Sequence, residues 1–480
     1  MQALNPYLPS FEYVPDGEPR VFGDRVYVYG SHDIFNGNDF CLGDYVCWSA
    51  PVDDLGDWRK DGVIYHKIQD PYNGKGNMNM CAPDVIQGSD GRYYLYYQLH
   101  LLSITSVAVC DTPAGKYEFL GYVRHSDGTP WGKKRGDTFA FDPGILKDDD
   151  GKYYLYVGFT PTQADFRLLL KIRGNKVDGA VCLELEKDMM TVKGGEQPVV
   201  PGIVKAKGTS FEGHAFFEAS SPRKIGGKYY FVYSSELSHE LCYAVSNDPN
   251  RGYTYGGTLV SIGNVGYNGR TDADNYTGNT HGGMVEINGQ WYIFYHRQTN
   301  LQKCARQACA EKIHILPDGK IPQVETTSCG LNNGPLEGKG KYEARIACAL
   351  QSATGTFAYV NVKEKNKDDL HPYFTQTGFD REDKPDQYIA NMRDGAKAGF
   401  RYFSFDSLKQ LSVSLRGNGK GFMEVRLEEK GAPIVRIPVN AKSTYTRFSG
   451  RTNREISGVH GLYFDFQGTG YVDFEWFELQ

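Results

Sequence analysis

The stretch GKYYLYVGF, Gly151 to Phe159, sets aromatic residues alternating along a short run behind a turn of three aspartates and a glycine. Close copies stand at DRVYVYGSH from Asp24, GRYYLYYQL from Gly91, GKYYFVYSS from Gly227 and GQWYIFYHR from Gly289. Aligning them on one aromatic position gives Tyr27, Tyr94, Tyr154, Tyr230 and Tyr292, separated by 67, 60, 76 and 62 residues. Each copy reads as one arm of a β-hairpin. Tyr, Val and Phe suit a pleated strand, and DDDGK, SDGR, GGK and NGQ supply the residues that tolerate positive φ.

More strand-like segments lie between the copies, such as Thr105 to Val123 and Glu240 to Val260, while long 3.6-period apolar stripes are scarce. A four-stranded unit of this length cannot bury both of its faces alone. Five of them in series predict an all-β five-bladed propeller over residues 1–330, and the length of the chain leaves room for a second domain.

Upstream of each aligned tyrosine, ten to twelve residues back, stand Asp16, Asp84, Asp142, Glu218 and His281. In a propeller these positions lead into the innermost strands, so four carboxylates and one imidazole from five blades are expected to meet at one mouth of the axis. Like charges crowded there repel, so stability alone does not call for them. Singly, each aspartate also suits a turn, where Asp bonds its own backbone. Glu218 in FFEASS sits among apolar and small residues, where a carboxylate is costly without a partner or a task.

The net charge of −5 and the absence of basic clusters exclude nucleic acid and anionic membrane as expected partners. No run of eighteen apolar residues occurs, and MQALNPYLPSFEY has no secretory pattern, so a cytoplasmic chain is expected. The ten cysteines form neither CxxC pairs nor a dense framework, which reads as reduced, buried thiols.

The segments NPYLPSFEYVPDGEPRVFGDRVYVYGSHD, APDV, FDPGILKDDDGKYYLYVGF, FEASSPRKIGGKYYFVYSS and HGGMVEINGQWYIFYHR resemble glycoside hydrolase family 43 over roughly residues 5 to 330. The resemblance implies an inverting glycosidase acting on arabinose- or xylose-containing glycans, with no cofactor in the chemistry. It matches Asp16 to the general base, Glu218 to the general acid and Asp142 to the carboxylate that tunes the acid. Arg306 matches an arginine that reaches the sugar, Asp84 a substrate or supporting group, and His281 a position beside a calcium ion or water on the axis. Two features depart from the family pattern. Cys81 stands where an aromatic residue often lines the pocket, and Glu212 is a second carboxylate near the expected acid.

After a glycine-rich linker around GLNNGPLEGKGKYEA, residues 340–480 carry no further copy of the repeat and predict a β-sandwich. YEARIACAL, GFMEVRLEE and GLYFDFQGTGYVDFEWFEL resemble a family 6 carbohydrate-binding module, with Asp473 where such modules often carry a sugar-binding asparagine. KEKNKDDL and DREDKPD read as solvated loops. The expected activity is release of terminal pentose from plant-derived oligosaccharides, as β-xylosidase or α-L-arabinofuranosidase. An endo-arabinanase and a non-catalytic glycan-binding propeller are the alternatives, and the oligomeric state is open.

Overall fold

The computed structural model describes residues 2–480 apart from 361–364, 366–368 and 383–385. The five expected units are five separate antiparallel sheets in chain order. Blade I holds β1 (Glu18–Phe22), β2 (Arg25–Tyr29), β3 (Tyr45–Pro51) and β4 (Arg59–Tyr65). Blade II holds β5 (Met80–Gln87), β6 (Tyr93–Leu99), β7 (Thr105–Cys110) and β8 (Glu118–Tyr122). Blade III holds β9 (Gly144–Lys147), β10 (Tyr153–Gly158), β11 (Gly179–Leu185) and β12 (Gln197–Pro201). Between β10 and β11 it inserts the helix α1 (Ala164–Ile172). Blade IV holds β13 (Phe216–Ile225), β14 (Lys228–Ser235), β15 (Glu240–Ser246) and β16 (Thr254–Ser261). Blade V has β17 (Met284–Ile287), β18 (Gln290–Thr299) and β19 (Gln302–Ile313).

The repeated hairpin explains itself in these terms. The glycines ahead of β2, β6, β10, β14 and β18 all have positive φ, between 63° and 86°, and an added Cβ at Gly23, Gly91, Gly151, Gly227 or Gly289 would meet nothing. Backbone conformation, not crowding, demands glycine there. The aromatic strands then serve two neighbours, because successive side chains point to opposite faces. Tyr153, Leu155 and Val157 pack toward blade II, whereas Tyr154 and Tyr156 pack toward blade IV. Each of the five gaps between adjacent blades holds one apolar cluster. The ring closes where Val26, Val28 and Trp48 meet Val285, Ile287 and Phe294. Asn5 and Tyr7 support that closure by hydrogen-bonding to Ala310 and Ala308 on the outer edge of β19.

The C-terminal unit is a sandwich whose ten strands join into one sheet. Two long strands, Lys397–Gly417 and Thr446–Thr469, cross between its layers through register shifts. Its first strand, Leu336–Glu337, starts ahead of the expected boundary at 340. Its core runs on to Tyr276 and Leu301 of the propeller, so the two units share an apolar seam. Buried arginines reinforce the seam. Arg401 pairs with Asp274 and Glu325 at 3.0 Å each, and Arg297 donates to the carbonyls of Ala347 and Arg345 at 2.6 Å. Asp473 is committed within the unit, accepting from Arg416 Nε and from the Asn391 amide at 3.0 Å. KEKNKDDL and DREDKPD fall partly outside the described residues. Asp380 and Arg381 of the second stretch are half-buried and lie against the propeller.

Candidate active site

The strand pairing defines two layers along the propeller axis. Glu18 pairs with Tyr29, Asp84 with Tyr96, Gly144 with Tyr156 and Ser221 with Val232, while Gly283 accepts from the Phe294 amide. These five equivalent residues form the deeper layer. Two residues earlier, at the mouth, stand Asp16, Ala82, Asp142, Ala219 and His281. Four of the five have positive φ, 56° at Asp16, 37° at Ala82, 46° at Asp142 and 73° at Ala219. That conformation is strained for a side chain, and it recurs where chains enter functional sites.

The layers correct two expectations. Asp84 belongs to the deeper layer and does not line the cavity at the mouth. It is 1 % exposed and receives Arg20 Nε and Nη2 at 2.9 and 2.6 Å, with the Ile145 amide at 2.8 Å. Together with Glu18 and Arg223 it forms a buried charged network that ties blades I to IV below the mouth. Glu218, for its part, is not the register equivalent of Asp16; Ala219 is. Register shifts on both sides of Glu218 and the left-handed turn at Ala219 bring the glutamate to the cavity.

The mouth opens into a cavity of about 560 Å³ lined by Asp16, Asp142, Glu218, His281, Arg306 and Lys303 among others. That volume lies in the range of small-molecule sites. Its apolar wall comes from phenylalanines, including Phe141 stacked on Phe159 with ring centroids 4.5 Å apart. They supply the surface that Cys81, also in the wall, does not. Glu212 is exposed on the surface, accepts from the Gly208 amide, and does not line the cavity.

The carboxyl groups are held in different states. Burial works against ionising Asp16, but the Arg306 guanidinium, donating Nη1–H to Oδ1 at 2.8 Å, together with the neighbouring histidines and Ser31 outweighs it and keeps the carboxyl below its ordinary value. His296 is pushed down to about 3 by burial and by Arg306, so its ring is neutral. Its Nε2–H donates to the Asn279 carbonyl at 2.9 Å, and Nδ1 accepts the Asp16 amide at 3.2 Å. Glu218 goes the other way. Burial first, and the Asp142 charge second, push it up to about 8. Asp142 accepts the Ala219 amide at 3.1 Å and faces His281 Nδ1 at 3.4 Å. Burial opposes a charge on His281, but Asp142 prevails and pushes the imidazole up to about 9.

Arg306 lines the cavity, yet most of its donors point away from it. Nε and Nη2 bond both oxygens of the fully buried Asp33 at 2.8 and 3.0 Å, and Nη2 also meets Cys41 Sγ at 3.5 Å. The sequence reading missed Asp33, His296 and Lys303. Asp33 and Lys303 stand outside the repeat, and His296, though inside the copy GQWYIFYHR, aligns with Ser31, Gln98, Gly158 and Ser234, so periodicity carried no signal for them.

Residues 5–321 match the family Glycosyl hydrolases family 43. The chain belongs to this family. It is therefore a glycoside hydrolase. It is 49 % identical to a xylosidase/arabinosidase of Thermoclostridium stercorarium, an alignment that spans 100 % of this chain and 99 % of that one. It is also 30 % identical over 325 residues to a xylosidase/arabinosidase of Bacteroides ovatus, covering 62 % of this chain and 89 % of the relative. Among solved structures, a β-xylosidase/α-arabinofuranosidase from a compost metagenome, in complex with xylotriose and in calcium-free form, is 26 % identical. It covers 65 % of this chain and 94 % of that one at a TM-score of 0.50. An arabinoxylan arabinofuranohydrolase from Bacillus subtilis, in complex with cellotetraose, shares the fold across both units. It covers 99 % of this chain and 97 % of that one at TM-score 0.51 and 19 % identity.

The position beside a calcium ion or water that the resemblance implies for His281 lies in the same cavity as the Asp16, Asp142 and Glu218 carboxyls. Calcium takes six to eight oxygens, so the His281 imidazole, with Asp142 Oδ2 3.4 Å from its Nδ1, would meet such an ion through coordinated water and not as a direct ligand. Among the described residues, the three ligand-type side chains that do converge are His214, Glu240 and Cys242 in blade IV.

Proposed function

We propose that the chain is an inverting, exo-acting glycosidase that removes terminal β-xylosyl or α-L-arabinofuranosyl units from short plant-derived oligosaccharides. Glu218 is the general acid, Asp16 the general base and Asp142 the tuning carboxylate. The observation that carries this reading is the opposite treatment of two carboxyls in one cavity: Glu218 pushed up to about 8, Asp16 held down by Arg306. Two environments that drive such values apart assign acid and base.

The steps follow. Glu218, protonated at neutral pH, gives its proton to the glycosidic oxygen as the bond to the sugar lengthens. Asp16, ionised, takes a proton from a water molecule on the opposite ring face, and that water attacks the anomeric carbon. Inverting enzymes leave room for this water by spacing the two carboxyls about 6.5–9.5 Å apart. Asp142 keeps negative charge beside Glu218 and so keeps the acid protonated, while His281 limits the cost of burying that charge. Names of relatives support the pentose assignment, since both sequence relatives described above are xylosidase/arabinosidases. The ten cysteines, all free thiols, fit a reducing cytoplasm as the place of work.

The test is a panel of aryl pentosides and arabinan with product anomers followed by NMR. Single pentoses appearing first as the inverted anomer is the expected result. Retained configuration would overturn the mechanism, and cleavage of long arabinan in place of aryl pentosides would make the enzyme endo-acting.

A further inference from the structure

The stretch Gln376 to Arg381 of the C-terminal unit reaches onto the two segments that flank the first hairpin of blade I. Tyr13 donates its hydroxyl to Gln376 Oε1 at 2.8 Å, and Asp380 Oδ1 receives the Phe35 amide at 2.6 Å. Arg381 Nη2 donates to the main-chain carbonyl of Asp33 at 2.7 Å, and its Nε lies 3.2 Å from Glu12 Oε1. The same guanidinium meets His32 Nε2. His32 Nε2 also stands 3.1 Å from Glu12 Oε1, the carboxylate oxygen that faces the Arg381 guanidinium, and its Nδ1 lies 2.8 Å from the Asp44 carbonyl oxygen. Arg381 sits at φ 55°, in the left-handed region that a side chain keeps only where its neighbours over-determine it.

These contacts converge on one residue. The Asp33 amide donates to the Tyr13 carbonyl at 2.9 Å, so Asp33 is held through its own backbone by both gripped segments. Its carboxylate in turn receives Arg306 Nε, Nη2 and main-chain amide, as well as the Cys41 amide. Arg306 then has Nη1 left for Asp16 at 2.8 Å. A fork that must meet two carboxylates at once tolerates little displacement of either.

We propose that Arg381 is a positioning residue for Asp16, so that the C-terminal unit is part of the hydrolytic apparatus and not an appended module. Arg381 fixes the backbone of Asp33, Asp33 fixes the Arg306 fork, and the fork fixes and charges Asp16. This rests on the reading of Asp16 as the base. The seam at Arg401 and Arg297 already docks the two units, so the 376–381 arm is not needed merely to hold them together.

The test uses the full chain and an aryl pentoside assayed well below the melting temperature. Arg381→Ala is expected to lower kcat about tenfold while KM stays within about twofold, because the sugar's own contacts are untouched. Arg381→Lys, which keeps one donor for the Asp33 carbonyl, is expected to recover part of that loss. Asp380→Ala, which frees the Phe35 amide in the same segment, is expected to lower kcat about threefold, and it carries the test if Arg381→Ala does not fold. Wild-type kcat in Asp380→Ala and in any folded Arg381→Ala overturns the proposal. Asp16→Asn separates the two readings. If it is inactive while Arg381→Ala is normal, only the positioning role falls, and if it is active, the base assignment falls first.

Discussion

His281 Nδ1 lies 3.4 Å from Asp142 Oδ2 at the mouth of the propeller axis, and this contact sets the charge beside the acid. Burial raises Asp142 and His281 limits the rise, while Asp142 keeps the imidazole charged up to about 9. Glu218 thus titrates against a carboxylate that is stabilised but not cancelled. Asp142→Asn removes the second largest cause that raises Glu218. The acid then loses its proton at lower pH, so the alkaline limb of kcat/KM, expected near 8 in the wild type, should move down. A pH profile of kcat/KM for the variant checks it, since that profile reports the free enzyme's groups.

Glu218→Gln should lower turnover by about two to four orders of magnitude, the usual contribution of a general acid. The loss should depend on the leaving group. Aryl pentosides with acidic phenols need little protonation and should suffer least, whereas xylobiose should suffer most. Equal losses on both would place Glu218 outside proton transfer.

Arg306→Lys should cost more than its charge suggests. The guanidinium reaches Asp16 and both oxygens of Asp33 together, which a single ammonium cannot reproduce. Asp16 is held down chiefly by that guanidinium against burial, so its pKa should rise in the variant. With Asp16 as the proposed base, activity requires it ionised, and the acidic limb of kcat/KM should therefore shift to higher pH with a loss of about a hundredfold at neutrality.

Arg20→Met tests the layer below. It leaves Asp84 buried and unpaired, and breaking a buried pair by removing one partner costs about 3–5 kcal/mol. Urea unfolding should register that loss, while the folded fraction should keep its pH profile, because neither residue lines the cavity.

The hairpins were legible because alternation and turn glycines are local properties. The mouth residues were legible only through a constant count from the aligned tyrosines, and that count is not quite constant. The aligned tyrosine pairs seven residues back in blades I, IV and V, with Arg20, Arg223 and Val285, but eight back in blades II and III, with Ile86 and Leu146. An offset of ten therefore puts Asp84 in the deeper layer, and an offset of twelve in blade IV falls one residue before the mouth position, at Glu218. Bulges decide which side chain turns in there, and no composition signal marks them. Asp33 and Arg381 were illegible for another reason. Their partners lie 273 and 348 residues away, respectively, so only the folded chain joins them.

Lys303 offers the converse of Asp142. It lines the cavity at the start of β19 and is a cation that lowers the Glu218 pKa against burial and Asp142. Lys303→Met removes that opposing charge and keeps the length of the side chain. Glu218 should then hold its proton to higher pH, and the alkaline limb of kcat/KM should move up, opposite to its movement in Asp142→Asn. The double variant should fall between the two, because the cation and the anion act on one titrating group. A limb that moves the same way in both single variants would mean that some group other than Glu218 governs it.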